Sequence, residues 1–332
     1  MKKSTKRLLL VLDIILVLVL VAGITFIQRR TEKREAEAVA EEDLARRYTR
    51  SVEIDGKSFP LKRSMSAVLL IGTDNYIDDS KQNEIEAFYN FNLADFLVIL
   101  VFDHSSKTVT PFQICRDTMC NVPWLSVNGL VGGTEFQQIT FAHTYGSGKD
   151  DSCVNTRNAV SGLLYGIPID SYFAFTMDAV PVMNDIVGGV TVRLEDDIPA
   201  LGPEYVRGAS IELKGDQALR FVRYRDTGLL ASNISRMAHH RLYMEAFTDA
   251  ARTALSKNED LFLDAFKAAE PFLCTDLTVE QISDMVEDLN GYTVLPTVTP
   301  GGSYIMGEQF AEYYLDDDSL RKCVIDTFCT AA

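Results

Sequence analysis

The sequence predicts an α/β domain built on a central mixed β-sheet flanked by helices and preceded by one N-terminal transmembrane helix. Three observations carry this. From about Arg63 onward, short β-rich runs alternate with helical stretches, the pattern of a sheet covered by helices. Hydrophobic residues make up 47% of the 332-residue chain and charged residues 24%, a composition that buries a real core. Leu8 to Ile27 is an almost wholly apolar run of 20 residues, which at helical rise matches a hydrocarbon layer about 30 Å thick.

Taken in order, residues 1–7 read as a cytoplasmic tail and 8–27 as the membrane span. Its one blemish, Asp13, sits near the first turns, within reach of the interface. A signal peptide would have a shorter apolar core and a small-residue cleavage site, which is lacking before Arg29. Basic residues flank the span on both sides (Lys2, Lys3, Lys6 and Arg7; Arg29, Arg30, Lys33 and Arg34), so charge bias does not set the topology. Residues 28–60 are assigned to a charged helical stalk and linker, on the Ala-, Glu- and Arg-rich composition of 28–50. Residues 61–332 form the folded domain.

Within it, Ala67–Ile71, Phe96–Phe102 and Thr108–Ile114 read as strands, the last two joined by the polar link 103–107. A helix capped by Asp151 or Ser152 runs to about Tyr165 and ends at Gly166 and Pro168. A strand at Tyr172–Thr176, a helix at about Asp178–Val187 and a strand at Val190–Leu194 follow. Helices are expected at Gly215–Tyr224, Ile234–Ser256 and Leu261–Ala269, and at Thr275–Leu289 with a threonine cap before Leu277. The segment after about 290 matches no usable motif beyond a closing helix from Ser319.

A formal net charge of −15 repels polyanions and disfavours nucleic acid as a partner. Any phosphate site is therefore a local basic cluster. The six cysteines lack paired zinc-type spacing and histidines number only four, which argues against a metal finger or a His-rich metal enzyme. Outside the cytoplasm up to three disulfides can form, with Cys323–Cys329 one candidate. Cys115 has no histidine partner that the sequence can place, and a buried or disulfide-bonded sulfur explains it as well as a nucleophile does.

The candidate chemistry lies in arginines and aspartates. Arg116 ends a strand, Arg223 and Arg225 follow a helical run, and Arg236 and Arg241 open a long helix. Guanidinium groups bind phosphate oxygens bidentately and stay charged, so several converging arginines suit a pyrophosphate; the alternative is that each pairs with a surface carboxylate. Asp74 and Asp95 sit at strand ends near one sheet edge, where they serve either as turn residues or as hard oxygen ligands for Mg2+. Apolar residues of the helices at Asp151–Tyr165 and Ile234–Ser256 line either a lipid groove or the ordinary core.

The ordered fragments Gly72-Thr73-Asp74, Ala94-Asp95, Cys115-Arg116-Asp117-Thr118, Gly188-Gly189-Val190 and Gly215 through Arg225 resemble the LytR-CpsA-Psr (LCP) family over a core of about 66–250, with 251–332 as an extension. The resemblance implies an extracytoplasmic, membrane-anchored phosphotransferase that moves an anionic glycopolymer, teichoic acid-like or capsule-like, from a polyprenyl-pyrophosphate carrier to a peptidoglycan acceptor. It implies that Asp74 and Asp95 hold Mg2+ and that Arg116, Arg223, Arg225 and Arg236 bind pyrophosphate. Asp117 then either helps deprotonate the acceptor or only orients Arg116.

Three departures qualify it. Leu93 stands where the family has arginine, and Cys115 where it has proline. In Asn233 to His240 only the first arginine of the family pattern survives, as Arg236; His239, three residues on and on the same helical face, is expected to substitute in part as a protonated imidazole. The rival reading is therefore a weakened paralogue that binds the lipid pyrophosphate as a regulator. A tethered structural protein with no lipid site leaves the ordered arginines unexplained.

Overall fold

The computed structural model describes residues 51–74, 90–126, 129–226, 228–258, 261–308 and 310–330. The span expected at 8–27 and the stalk at 28–50 lie outside the described residues. Among those described, no helix is long and apolar enough to cross a membrane.

The chain enters through a small hairpin, β1 (Ser51–Ile54) and β2 (Lys57–Pro60). Val52 and Ile54 are buried in the core, and the compact unit begins at Val52. Residues 51–60 are thus part of the domain rather than of a helical stalk, because alternate side chains of β1 point inward.

The main strands follow: β3 (Met65–Thr73), β4 (Ala94–Asp103) and β5 (Thr108–Ile114), each antiparallel to its neighbour. A protruding hairpin comes next, β6 (Met119–Leu125) with β7 (Val131–Gln138). Helix α1 (Asp150–Leu163) then returns the chain to β8 (Ser171–Thr176), which lies parallel to β3. After α2 (Ala179–Ile186), the pair β9 (Val190–Arg193) and β10 (Ser210–Leu213) leads into α3 (Asp216–Arg223), α4 (Ser232–Leu255) and α5 (Leu261–Ala269).

The remainder comprises β11 (Leu273–Thr275), α6 (Val279–Gly291), β12 (Thr293–Val294), the hairpin β13 (Gly302–Met306) with β14 (Ala311–Leu315), and α7 (Asp317–Phe328). The central sheet has the order β11-β8-β3-β4-β5-β12 and is mixed, as expected.

Alternation along β3 and β4 divides the core in two. Leu69, Ile71, Leu97, Ile99 and Val101 face α1 and α7, where Val160 of the first helix and Leu320, Val324 and Phe328 of the second pack. Val68, Phe96, Val98, Leu100 and Phe102 face the opposite layer, where Phe221 of α3 and Met244 and Phe247 of α4 pack. Helix α1 therefore lies on the other face of the sheet from α4, and the two do not share a groove.

Two local expectations change. The cap of α6 is Thr278, not Thr275: the Thr278 hydroxyl accepts from the Gln281 amide while the Gln281 side chain answers the Thr278 N–H, a reciprocal capping box. Thr275 ends β11. The candidate disulfide between Cys323 and Cys329 is not formed, since all six cysteines are free thiols.

Candidate functional site

The end of β3, the start of β4 and the end of β5 meet at one end of the sheet, because these strands are antiparallel neighbours. Asp74, Asp95 and Arg116 are thereby brought together from three separate stretches of chain. The pairing of β3 with β4 slips at this point: Gly72 faces Phe96 and Thr73 faces Ala94, so Asp95 is the extra residue of a bulge that turns its carboxylate out of the ladder. Gly72 is required by the close approach, since a Cβ there would lie 2.8 Å from that of Phe96.

Asp95 is a shared acceptor. Its Oδ1 takes Arg116 Nη1, and its Oδ2 takes Arg236 Nη1 at 3.3 Å. Arg236 reaches it from the second turn of α4 and is nearly enclosed, its side chain 7% exposed. Asn233, one turn earlier, accepts from Arg236 Nε at 3.0 Å and Nη2 at 2.7 Å, fixing the plane of the guanidinium. The amide thus does for Arg236 what a carboxylate would do, without adding charge.

Asp117 accepts Arg116 Nε on Oδ1 at 3.1 Å and the Tyr304 hydroxyl on Oδ2 at 2.9 Å. Tyr304 comes from β13, and β14 ties the same place down through the Tyr313 N–H, which donates to the Asp117 carbonyl at 2.9 Å. Cys115 lies beneath, with Asn233 Nδ2 donating to its sulfur at 3.3 Å and Tyr304 Oη 3.2 Å away. Burial, with Asp117 beside it, pushes the Cys115 thiol up to about 11, so the sulfur is a packed thiol and not a nucleophile. Burial likewise raises Tyr304, which remains a proton donor to Asp117.

The outer half is open. Arg223, the last residue of α3, donates from Nη2 to Asp74 Oδ1 at 2.8 Å, and both side chains are 46% exposed. Arg225 stands exposed beyond it, and its charge lowers the pKa of both Arg116 and Arg236. For each of those two, burial is the larger cause and the neighbouring guanidiniums add to it. Four guanidiniums (Arg116, Arg223, Arg225 and Arg236) meet three carboxylates (Asp74, Asp95 and Asp117), leaving one positive charge in excess within a chain of net −15. Such a cluster is relieved by an incoming anion.

His239 does not replace a guanidinium. Its ring packs against Phe221 and Tyr224 at centroid distances of 5.1 and 5.9 Å, and burial lowers its pKa, so the imidazole is neutral at neutral pH. Arg241 points away, to Glu195 and Glu245. Tyr304 and the orienting role of Asn233 escape sequence reasoning. Tyr304 carries no local signal, whereas the i, i+3 spacing of Asn233 and Arg236 is visible.

Beside the charged cluster an apolar cavity of about 250 Å3 opens between the sheet and α2 and α4. Phe96 and Val222 in its wall are the immediate neighbours of Asp95 and Arg223, and Phe175, Met183, Met244 and Phe247 extend it. Of the two helices expected to line a groove, the one at 234–256 does so and the one at 151–165 does not.

Fold and site together define an α/β domain with a cluster of arginines and aspartates at one sheet end and an apolar cavity next to it. Comparison places it more closely. The model of the LytR_cpsA_psr family matches residues 25–322, and the chain belongs to that family. A Bacillus mycoides (strain KBAB4) relative, the polyisoprenyl-teichoic acid–peptidoglycan teichoic acid transferase TagU, is 25% identical over 219 residues, which are 66% of this chain and 62% of that protein, less than two thirds of its length. TagU of Bacillus subtilis (strain 168) is 24% identical over 292 residues, covering 87% of this chain and 84% of the relative. Among solved structures, TagT bound to LI-WTA has a TM-score of 0.60 at 18% identity, over 80% of this chain and 89% of that one. B. subtilis TagT has a TM-score of 0.58 at 20% identity, over 82% and 92%. At these identities the structural likeness speaks for the fold.

Proposed function

We propose that this chain transfers an anionic glycopolymer from a polyprenyl-pyrophosphate carrier to a peptidoglycan hydroxyl, as a single-pass protein whose catalytic domain lies outside the cell membrane. The observation that carries this is the convergence of four arginines on one sheet end, directly beside an apolar cavity. A lipid pyrophosphate has that duality: a doubly phosphorylated head joined to a hydrocarbon chain. The names of the TagU relatives point the same way.

In this reading Arg116 and Arg236, held by Asp95, Asp117 and Asn233, form the rigid floor for the pyrophosphate, and Arg223 and Arg225 close on its outer oxygens. Phosphoryl transfer needs charge neutralisation and in-line positioning more than covalent help from the protein. The acceptor oxygen bonds to the glycan-bearing phosphorus, the bridging P–O bond breaks, and the lipid leaves as a monophosphate that takes up the proton the hydroxyl gives up. Both oxygens of Asp117 are committed, to Arg116 and to Tyr304, which favours a positioning role over that of the base.

Mg2+ commonly takes one or two carboxylates with phosphate oxygens and water. Asp74, with only Oδ1 on Arg223, would hold the ion, and Asp95 would join it only by giving up Arg116 or Arg236, to which its two oxygens are bonded. Among the described residues no group of three or more His, Cys, Asp or Glu is placed to hold a metal, so the substrate would complete the shell. When bound, the ion withdraws charge from the phosphate oxygens.

A second reading, a paralogue that binds the carrier with weak turnover as an envelope regulator, is favoured by one observation: the neutral, enclosed His239 leaves a guanidinium position unreplaced. One experiment separates the two. Full-length protein in detergent, given Mg2+, a polyprenyl-pyrophosphate-linked glycan and peptidoglycan fragments, yields transferred product and polyprenyl monophosphate in the first reading and lipid binding alone in the second. Lipid binding unaffected by Arg116→Ala and Arg223→Ala sinks both.

A further inference from the structure

Away from the arginine cluster, two cysteines unused by the transfer chemistry lie side by side. Cys153, in the first turn of α1, has its sulfur 3.9 Å from that of Cys274 in β11, although 121 residues separate them in sequence. Cys153 is fully buried and Cys274 is partly exposed. A third group completes the arrangement: His143 Nε2 is 3.7 Å from Cys153 Sγ.

The tautomer of His143 follows from its other contact. Nδ1 lies 2.9 Å from the Asn92 carbonyl, which can only accept, so Nδ1 carries the hydrogen. Burial lowers the pKa of the ring, which is therefore neutral, and Nε2 presents a bare lone pair to the Cys153 thiol. Cys274 in turn donates its S–H to Asp150 Oδ1 at 3.2 Å. A buried thiol facing a proton acceptor, next to a second thiol that solvent reaches, has the parts of a dithiol built to close.

We propose that Cys153, Cys274 and His143 form a disulfide-forming site, whose co-reactant is a small-molecule or protein disulfide. Cys274, as the thiolate, attacks one sulfur of that disulfide and expels the first thiolate, which takes up the proton Cys274 released. Cys153 then passes its proton to His143 Nε2 and attacks Cys274 Sγ. The second thiolate leaves and is protonated by the imidazolium. Two protein thiols are oxidised to one disulfide, and the co-reactant is reduced to two thiols. The bond joins α1 to the edge strand β11, whose Leu273 belongs to the wall of the apolar cavity. This inference stands on the sulfur geometry and is independent of the transfer reaction.

The test uses the full-length chain in detergent, exposed to excess glutathione disulfide, quenched with N-ethylmaleimide and digested without reduction. The expected product is a cross-linked peptide joining Cys153 to Cys274, two hydrogens lighter than its parts, with Cys115 and Cys120 unlinked. His143→Gln is expected to slow closure by roughly a hundredfold, the scale of a positioned proton acceptor, while the same cross-link still forms. After oxidation, recovery of Cys153 as a free thiol once the wild-type protein is unfolded in N-ethylmaleimide, or a cross-link from Cys153 or Cys274 to another cysteine, overturns the proposal. An unchanged rate in the His143 variant overturns the role of the imidazole.

Discussion

The two halves of the arginine cluster use the same residue types in opposite ways. Arg236 is buried and Arg116 partly buried; they share Asp95 and are held further by Asp117 and Asn233. Arg223 and Arg225 stand in solvent, with Asp74 the one carboxylate partner between them among the described residues. An ion pair in the interior is expensive to break because its partner is left uncompensated, whereas an exposed pair contributes little to stability and can change partner readily. The inner half is thus held as scaffold, and the outer half is free to exchange partners.

The sharpest way to break this distinction is Asp95→Ala, which strips the shared acceptor from two nearly enclosed guanidiniums. Stability should fall by about 3–5 kcal/mol in urea or guanidinium unfolding, and a change below about 1 kcal/mol would place these arginines in effective contact with water. Asn233→Ala removes two hydrogen bonds to the charged Arg236 and is expected to cost about 1.5–3 kcal/mol, with a larger loss of pyrophosphate-lipid affinity than of fold.

Acid probes the inner half through His240, whose charge Arg236, one turn earlier on α4, opposes. Its Nε2 donates to the Val222 carbonyl at 2.9 Å, and burial, with Arg236 adding to it, depresses its pKa to about 3. The unfolded histidine titrates near 6.5. Between those values the unfolded chain binds the extra proton, so stability falls as pH drops from about 6.5 toward 3, by up to about 1.4 kcal/mol per pH unit from this residue. The dependence of stability on pH across that window should flatten in His240→Gln. The smallest stability effect is expected at the outer half: Arg223→Ala and Arg225→Ala each shift unfolding by less than about 1 kcal/mol yet weaken binding of the lipid pyrophosphate, as measured by titration.

Much of this architecture is legible in the sequence where burial leaves a periodic mark. The continuous apolar runs of β3, β4 and β5 and the helices α2 to α5 fall within a few residues of expectation, because one or both of their faces are covered. The hairpins β6–β7 and β13–β14 escape it. Val131 and Phe136 on one, and Ile305 and Met306 on the other, are exposed, so inside and outside do not alternate in hydrophobicity. The α6 cap is written in Thr278-Val279-Glu280-Gln281, a stronger signal than the isolated Thr275.

At the site, the order of the fragments locates Asp74, Asp95, Arg116, Asp117, Arg223, Arg225 and Arg236, which the fold then collects. Asn233 orients Arg236 without a charge of its own, because an amide oxygen accepts from a guanidinium as a carboxylate does. Reading His239 as a spare cation fails because helical facing gives direction but not dielectric: the ring does share a side of α4 with Arg236, yet aromatic neighbours enclose it.

Tyr304 reaches Asp117 across 187 positions of sequence, and this long reach has a consequence for the life of the molecule. A chain threading out of its ribosome, amino end first, presents the aspartates and arginines long before the tyrosine that steadies them. Competence therefore arrives late, when the closing segment docks, and a protein cut short near residue 300 would keep every family motif while lacking the strut beneath Asp117.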